Sequence, residues 1–340
     1  MKSWDAIVVG GGIIGLSLSL ALRKRGLHVL VVERGEPGRE ASHAAAGMLA
    51  DCMDDTPLAL QPLATASARM YPEFVEDLRD ASAINPDLRD QGTIVLAAQH
   101  DKNPIDAAQR EPLLVTNGMA ASYLPERSVD PRALTAAALQ AAKHRSIDIA
   151  SGAAVTNLLI DKKVMGVATT RTEYAAPVVL NCAGAWAGQI SMHRFPTRPV
   201  KGQMLSVAAH NVLQHVVRAP DVYLVPRSDG RILIGATVEE AGFDKRTVPK
   251  TIRGLRDAAV RLIPRLKDAR ILEDWAGLRP GTPDDLPILG TTDTPGYFVA
   301  TGHFRNGILL APATAEAMAQ LITGSNCSYD LSAFSPSRFS

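Results

Sequence analysis

Apolar residues recur along the chain in short continuous runs and in longer runs with helical spacing. The run at residues 6–9 predicts a buried strand, and an apolar helical stretch follows it as far as Gly26. A second buried strand is predicted at residues 28–33, where it ends in the acidic Glu33. The chain therefore opens with a strand, a helix and a second strand.

The same patterns predict elements over the rest of the chain. Helices are predicted at residues 57–84, 131–144, 250–263 and 312–323. Strands are predicted at residues 92–98, 153–158, 163–168, 177–184, 203–207, 222–225, 231–235 and 297–300, with a hairpin turn at 228–230. Between residues 196 and 275 the strands are short and punctuated by proline and glycine, which indicates an antiparallel lobe.

Two prolines mark where helices are expected to begin. Pro131 and Pro312 are each placed in a first turn, because proline has no N–H and the N–H groups there have no partner within the helix. Residues 303–311 are therefore expected to form a loop with free backbone donors.

Three glycines, Gly10, Gly12 and Gly15, separate the first predicted strand from its helix. Gly10 permits a tight turn, Gly12 lets a pyrophosphate approach the backbone, and Gly15 lets helix and strand pack closely. The helix N-terminus offers N–H groups and a positive dipole end to phosphates, while Glu33 is placed to bind a ribose. Glycines also mark ordinary turns, but this combination predicts a dinucleotide site.

Residues 34–50 do not continue as a simple nicotinamide-binding domain would, with another helix and a third parallel strand. They form a small-residue segment that contains Ala-Ala-Ala-Gly-Met-Leu-Ala at 44–50. A flexible surface loop is the alternative, but three alanines and a Met-Leu pair are too apolar for one. We expect this segment to lie against a large flat ligand.

Size and charge limit the classes of protein that this chain can represent. Its 340 residues suffice for two domains, or for one large domain with an inserted lobe. The formal net charge of +1 and the lack of a dense run of Lys and Arg argue against a nucleic-acid partner. No run of about 18 apolar residues is present, so we expect no membrane span.

The cysteines and the N-terminal residues indicate the compartment. Cys52, Cys182 and Cys327 are odd in number and far apart, which fits a reducing compartment and neither a disulfide framework nor a metal site. The N-terminal residues lack the pattern of a signal peptide. A cytoplasmic protein is expected.

Two late segments make the prediction more specific. They are Trp-Ala-Gly-Leu-Arg-Pro-Gly-Thr at 275–282 and Gly-His-Phe-Arg-Asn-Gly-Ile-Leu-Leu-Ala-Pro-Ala-Thr at 302–314. Together with the N-terminal unit they resemble signature blocks of the FAD-dependent D-amino-acid oxidase superfamily, and within it most of all the bacterial glycine oxidases of the thiamine pathway. The resemblance runs nearly end to end and is densest at residues 5–50, 179–187, 223–237 and 275–314.

The resemblance implies an α/β (α+β) fold in which a Rossmann-like FAD-binding domain carries an inserted antiparallel-sheet substrate domain. The FAD-binding domain is expected at residues 1–85, 130–195 and 276–340. The substrate-binding domain is expected at residues 86–129 and 196–275. A homotetramer is implied by the same resemblance.

The resemblance also implies non-covalent FAD and oxidation of glycine, sarcosine or a small D-amino acid. Hydride would pass from the α-carbon to flavin N5 and give an imino acid, which water hydrolyses to the 2-oxo acid and ammonia. O2 would then take the electrons and leave as hydrogen peroxide. No side chain is expected to act as acid or base, because the lone pair of a neutral substrate amine can drive hydride departure.

Four residues are expected to bind the substrate: Arg279, Tyr223, Arg305 and Met48. By resemblance, Arg279 is the carboxylate clamp, since a guanidinium fork binds a carboxylate bidentately. The Tyr223 hydroxyl assists it, Arg305 reaches the substrate from the late segment, and Met48 lies beside flavin and substrate.

The expected cofactor contacts run from the N-terminal glycines through the small-residue segment to the late block. They are Gly10, Gly12, Ile13, Ile14, Gly15, Glu33, Arg34, Ser42, Ala46, Gly47, Met48, Val155, Gly184, Gly302, His303, Phe304, Arg305, Asn306, Gly307, Ile308, Leu309 and Leu310.

Two positions depart from the glycine oxidase pattern. Asp221 stands where a histidine is familiar, and Val238 stands in place of a methionine, so the pocket could be larger. A sibling D-amino-acid or sarcosine oxidase or dehydrogenase therefore stays open, as does a catalytically silent flavoprotein. The presence of both Arg279 and Tyr223 argues against a catalytically silent flavoprotein, because a flavin with a purely structural role needs no carboxylate clamp.

Overall fold

The computed structural model describes residues 3–51, 56–98, 104–190 and 195–339. Cys52 lies outside these residues. Within them the α-helices are α1 (Ile13–Lys24), α2 (Ala41–Ala44), α3 (Gln61–Ser82), α4 (Ala107–Arg110), α5 (Pro131–His144), α6 (Pro249–Leu262) and α7 (Gly307–Ile322). Short 3-10 helices lie at Gly184–Gln189, Pro264–Asp268, Ser332–Phe334 and Pro336–Phe339.

The strands follow the same chain order. They are β1 (Ala6–Val9), β2 (Val29–Val32), β3 (Met48–Leu49), β4 (Thr93–Ala97), β5 (Ala120–Leu124), β6 (Arg127–Ser128), β7 (Asp148–Ala150), β8 (Val155–Asp161), β9 (Lys163–Thr169), β10 (Glu173–Ala175), β11 (Val178–Asn181), β12 (Arg198–Ala208), β13 (Val216–Arg218), β14 (Tyr223–Pro226), β15 (Arg231–Gly235), β16 (Ile271–Gly281), β17 (Ile288–Thr291) and β18 (Tyr297–Thr301).

Six of the described strands form a sheet in the order β17-β18-β11-β1-β2-β7. All neighbours are parallel except β17, which pairs antiparallel with β18. Helices α1, α3, α5 and α7 cover one face, and the small sheet β10-β9-β8 covers the other. Burial on both faces explains why β1 and β2 are continuous apolar runs without alternation.

Seven of the described strands form the second sheet, in the order β16-β12-β15-β14-β13-β4-β5. Its pairs are antiparallel except β13 with β4. Helix α6 packs against one face, while the other face meets Ala46 and Met48 of the small-residue segment. The predicted α/β architecture, with a Rossmann-like sheet and a largely antiparallel second sheet, is confirmed.

Most predicted elements are present, but the segment at 34–50 is more ordered than a loop. It contains one turn of helix, α2, and the short strand β3, which pairs with β6. At the start of α5 the Asp130 carboxylate accepts the N–H groups of Arg132 and Ala133, and Pro131 occupies the first turn as predicted. The domain boundaries stay a prediction.

The predicted start of the last helix is wrong. Helix α7 begins at Gly307, so Pro312 lies inside it and residues 307–311 are helical. A proline inside a helix removes one N–H and crowds the carbonyl four residues earlier, here that of Ile308. Because this cost usually keeps proline out of the interior of a helix, the sequence favoured a helix that starts at Pro312.

Helix α3 supplies the hydrogen bonds that this proline disrupts. The Tyr71 hydroxyl donates to the Ile308 carbonyl at 2.5 Å. The Ser67 hydroxyl donates to the Leu309 carbonyl at 2.6 Å and accepts the Ala313 N–H at 3.2 Å. Both α3 side chains are fully buried. The helix can therefore run through the proline, because a partner distant in sequence satisfies the freed carbonyls.

Candidate active site

A cavity of about 1300 Å³ lies between the two sheets. Small-molecule sites usually enclose about 300–1000 Å³. The cavity is lined at one end by the turn after β1 and at the other by strands of the seven-stranded sheet. It therefore has room for a dinucleotide together with a small substrate.

The turn before α1 forms a cradle that side chains would fill. Gly10 has φ +108°, and a Cβ there would lie 2.4 Å from the Cys182 carbonyl oxygen. A Cβ on Gly15 would lie 2.0 Å from the Gly10 carbonyl, so Gly15 lets the helix pack on the strand. Gly12 is the N-cap residue of α1 and has no side chain that could fill the space beside the helix N-terminus. The Ile13 N–H donates to the Ser42 hydroxyl at 2.9 Å. This arrangement fits a pyrophosphate at a helix N-terminus.

Glu33 follows β2 directly and lines the same end of the cavity. Its carboxylate is buried and accepts the N–H groups of Gly11 at 2.7 Å and Gly35 at 2.9 Å. These bonds fix the carboxylate beside the glycine turn, where a ribose could donate to its remaining lone pairs. The position fits the adenosine half of a dinucleotide.

Arg34 continues this wall with an aromatic partner that the sequence analysis missed. Its guanidinium carbon lies 3.4 Å from the centre of the Trp186 ring, and it pairs with Glu40 at 2.8 Å. Trp186 in turn packs on Phe243, with ring centres 5.2 Å apart. A tryptophan after a strand-ending glycine turn carries no signal of its own in one sequence.

The late segment brings a helix N-terminus to the other half of the cavity. Asn306, Gly307 and Ile308 line the cavity at the start of α7. The unpaired N–H groups and the positive dipole end of α7 are therefore available there. The expected backbone donors thus come from a helix terminus, where the sequence analysis placed a loop.

His303 lines the cavity but is held as a neutral side chain. It is buried, its Nε2 lies 3.2 Å from the Thr314 hydroxyl, and burial lowers the pKa of its imidazole to about 3. At neutral pH it carries no proton to donate as an imidazolium. His303 is therefore a neutral part of the cavity wall.

Arg279 and Tyr223 come together across two glycines at the end of the cavity formed by the seven-stranded sheet. A Cβ on Gly202 would lie 2.4 Å from Arg279 Nη1, and one on Gly235 would lie 2.8 Å from the Tyr223 hydroxyl. The two side chains can therefore lie flat over β12 and β15. Arg279 Nη1 also donates to the Thr237 carbonyl at 3.1 Å, which fixes the fork in place.

Charge at this end favours an anion. Burial raises the pKa of Tyr223, while Arg279 and then Arg305 act to lower it. Burial lowers the pKa of Arg279, with Tyr223 opposing and Arg305 adding to that shift. Two guanidinium groups and one phenol therefore face a partly desolvated cavity, an arrangement suited to a carboxylate.

The structure brings most predicted site residues to one cavity. Those that line it are Gly10, Gly12, Ile13, Ile14, Glu33, Arg34, Ser42, Ala46, Gly47, Met48, Val155, Gly184, Tyr223, Arg279, His303, Phe304, Arg305, Asn306, Gly307 and Ile308. Gly15, Gly302, Leu309 and Leu310 do not line it. The two leucines are buried in the helical core because α7 starts earlier than predicted. The roles of these residues stay predictions.

The two atypical positions behave differently. Val238 lines the cavity and is 59% exposed, so it lies at the rim. Asp221 is exposed and does not line the cavity, which fits a loop acid. Arg218, which the sequence analysis did not single out, lines the cavity directly opposite Tyr223 on the neighbouring strand.

No group of three or more His, Cys, Asp or Glu side chains in the described part of the chain could hold a metal ion. None of the helices described above is long and apolar enough to cross a membrane.

Comparison with known proteins decides the family. The family described as DAO, FAD dependent oxidoreductase, matches residues 5–321. The chain belongs to the DAO family. Its cofactor is accordingly FAD, and its class of activity is that of an FAD-dependent amino-acid oxidase.

Relatives within the DAO family match over nearly the whole chain. Glycine oxidase of Pseudomonas aeruginosa is 34% identical over 97% of this chain and 98% of its own length. The bifunctional protein ThiO/ThiG of Trichormus variabilis is 36% identical over 98% of this chain, which spans only 55% of that protein. The crystal structure of glycine oxidase from Geobacillus kaustophilus superposes with a TM-score of 0.94, at 33% identity and 99% coverage of both chains.

Proposed function

We propose that this DAO-family protein oxidises glycine, and with it sarcosine and other small amino acids, in the service of thiamine biosynthesis. One amino acid, O2 and water would give one 2-oxo acid, hydrogen peroxide and one amine, which is ammonia from a primary amino acid and methylamine from sarcosine. The observation that carries the proposal is the convergence of Arg279, Tyr223 and Arg305 at one end of a cavity whose other end is a dinucleotide cradle. The full-length similarity to glycine oxidases supports it.

The arginines and the tyrosine would position the substrate. When bound, FAD supplies the acceptor for the hydride and passes the electrons to O2. The Arg279 fork takes both carboxylate oxygens, and the Tyr223 hydroxyl donates to one of them. Because Arg279 is itself held by the Thr237 carbonyl, the α-carbon is presented in a fixed orientation.

The amine would bind in its neutral form, so that its lone pair assists hydride departure. His303 cannot supply a proton at neutral pH, since burial holds its pKa at about 3. The positive charges of Arg279 and Arg305 also disfavour a protonated, positively charged substrate amine beside them. The protein's contribution is therefore orientation and electrostatics.

A wider substrate range than glycine alone is supported by the shape of the cavity. One register row crosses the seven-stranded sheet on the cavity side, and its lining members are Met204, Tyr223, Arg218, Val95 and Ser122. Because opposed residues of paired strands share a face, the cavity continues past the clamp toward Ser122. A D-amino-acid or sarcosine oxidase or dehydrogenase is thus the second candidate function.

A panel of substrates tests the proposal. The purified yellow protein is mixed without oxygen with glycine, sarcosine, D-alanine or L-alanine, and flavin bleaching is followed by absorbance. We expect glycine, sarcosine or D-alanine to bleach it and L-alanine to fail. If no amino acid of a wider panel reduces the flavin, the proposal is wrong. Hydrogen peroxide on admission of air distinguishes an oxidase from a dehydrogenase with another acceptor.

We propose two further features, a location and an oligomeric state. The cysteine pattern supports a cytoplasmic location. Family resemblance supports a homotetramer, which sedimentation of the FAD-loaded protein would test.

A further inference from the structure

Arg227, directly after β14, is a charged residue in an unusually buried place. It is 4% exposed, and one of its guanidinium nitrogens, Nη2, donates to the Ala46 carbonyl. Its Nε and Nη1 have no hydrogen-bond partner among the described residues. Burying a cation with so few partners is costly. Packing alone does not account for the choice of arginine.

Two carboxylates nearby keep this arginine charged without binding it directly. Burial lowers the pKa of Arg227 to about 10, while Asp130 and Asp87 oppose that shift. Asp130 is occupied by Arg231 at 2.7 Å and by the first N–H groups of α5. At neutral pH a full positive charge therefore rests against the Ala46 carbonyl.

The Ala46 carbonyl belongs to a peptide whose other end faces the cavity. The Ala46–Gly47 bond is trans, so its carbonyl and its N–H point in opposite directions. With the carbonyl directed to Arg227, the Gly47 N–H is directed away from it, and Gly47 lines the cavity. That N–H has no hydrogen-bond partner in the described structure.

The backbone around this peptide cannot easily turn over. The Gly47 carbonyl accepts the Val129 N–H at 2.8 Å, and Gly47 has φ +80°. A Cβ on Gly47 would lie 1.9 Å from the Val129 carbonyl oxygen. The orientation is therefore fixed from the side opposite the cavity as well.

A second peptide of the same segment is held in the same way. The Trp275 indole N–H donates to the Ala44 carbonyl at 3.1 Å, which directs the Ala45 N–H away from Trp275. Ala45 also lines the cavity, directly after the last residue of α2. Two carbonyls of this segment are thus hydrogen-bonded to side chains, while the Gly47 N–H remains available.

The reacting end of the cofactor is expected to lie close to the Gly47 N–H. Ala46 packs in one cluster with Met204 and Tyr223, so the segment adjoins the substrate clamp. Hydride transfer requires the substrate's α-carbon and the flavin to be in contact there. A donor at that place stabilises negative charge gained on reduction.

We propose that Arg227 is a positioning residue that orients and polarises the Ala46–Gly47 peptide, so that the Gly47 N–H serves as a donor to the flavin, and that Trp275 helps to hold the same segment through the Ala44 carbonyl. A charge on the carbonyl strengthens the N–H of the same peptide as a donor. The proposal rests on FAD binding and not on the identity of the substrate.

The test measures the flavin and needs no substrate. In Arg227→Met the side chain keeps its length but loses the donor and the charge. We expect the dissociation constant for FAD to rise about tenfold. The midpoint potential of bound FAD, from dye-linked reductive titration, should become more negative than in the parent protein.

Two further variants control the experiment. Arg231→Gln removes a neighbouring arginine whose guanidinium donates to Asp130 and Asp229 and not to residues 44–48, so both readouts should stay at parental values. Trp275→Phe keeps an aromatic ring and removes only the indole donor, and it should shift the potential in the same direction as Arg227→Met. If Arg227→Met fails to fold, Trp275→Phe decides alone. Parental potential and FAD affinity in a folded Arg227→Met, or in Trp275→Phe in that event, would overturn the proposal.

Discussion

Single residues set the geometry of the proposed substrate clamp, and the residues that matter most for its shape are glycines. Arg279 and Tyr223 lie on strands that are not neighbours, yet their side chains meet because Gly202 and Gly235 leave space between them. The sequence alone revealed the arginine and the tyrosine through the motifs around them. It could not reveal Gly202 or Gly235, because their role depends on which strands pair.

Replacing Gly202 by alanine should therefore damage the clamp while sparing the cofactor. The new Cβ would lie within 2.6 Å of three guanidinium atoms of Arg279. Displacing that charged donor should raise KM for glycine by about 10- to 100-fold, with FAD still bound. Steady-state kinetics measures this. Gly254→Ala in α6, where a Cβ meets nothing within 4 Å, is the matched control and should keep parental KM.

His303 should make stability depend on acidity. Its pKa is about 3 in the folded protein and near 6.5 when unfolded. Below pH 6.5 the unfolded chain binds a proton that the folded protein does not, so stability falls as pH drops from 6.5 toward 3, by about 1.4 kcal/mol per unit. Urea unfolding between pH 6.5 and 5 measures the slope. A parental slope in His303→Gln would contradict this assignment.

Where a helix or strand begins and ends depends on the elements that pack against it as well as on its own sequence. The pattern located β1, α1, β2 and α5 well, because their signals are local: continuous apolar runs, glycines and an Asp-Pro cap. The predicted start of α7 was wrong by five residues. The hydrogen bonds that make up for the missing N–H of Pro312 come from Ser67 and Tyr71 on another helix. No local pattern records such a bond.

Removing that compensation should destabilise the protein. Ser67→Ala leaves the Leu309 carbonyl and the Ala313 N–H buried without the hydroxyl that joins them. The free energy of unfolding should fall by about 1–3 kcal/mol, measured by urea denaturation. Ser19→Ala is the control, since that buried hydroxyl only bonds a carbonyl of its own helix. Equal losses in both variants would mean that Ser67 has no special role in α7.

At the scale of the whole molecule, one segment joins the two ends of the cavity. Residues 236–248 connect β15 to α6. Near their start, the Thr237 carbonyl accepts from Arg279. Farther along, Phe243 packs on Trp186, and Lys245 pairs with Glu40 at 3.0 Å. Residues 236–248 thus contact both the proposed substrate clamp and the proposed dinucleotide cradle. The sequence alone could not show these contacts.

Loss of the aromatic contact in this segment should loosen the cofactor. Phe243→Ala removes an aromatic pair worth about 0.5–1.5 kcal/mol, so the dissociation constant for FAD should rise about 2- to 10-fold. Fluorescence titration of the apoprotein with FAD measures it. Val248→Ala trims an exposed side chain of the same segment and should bind FAD as the parent does. An unchanged constant in Phe243→Ala would remove this segment from cofactor binding.

The central claim is that Arg279 holds the substrate carboxylate over bound FAD. Its most direct test is anaerobic reduction of the flavin by glycine in the parent protein and in Arg279→Ala, followed by stopped-flow absorbance. We expect the parent to be bleached, and the variant to keep its FAD while losing at least about 100-fold in the second-order rate of reduction, as the loss of charged bidentate bonds implies. Parental reduction in Arg279→Ala, or loss of FAD from it, would contradict the account.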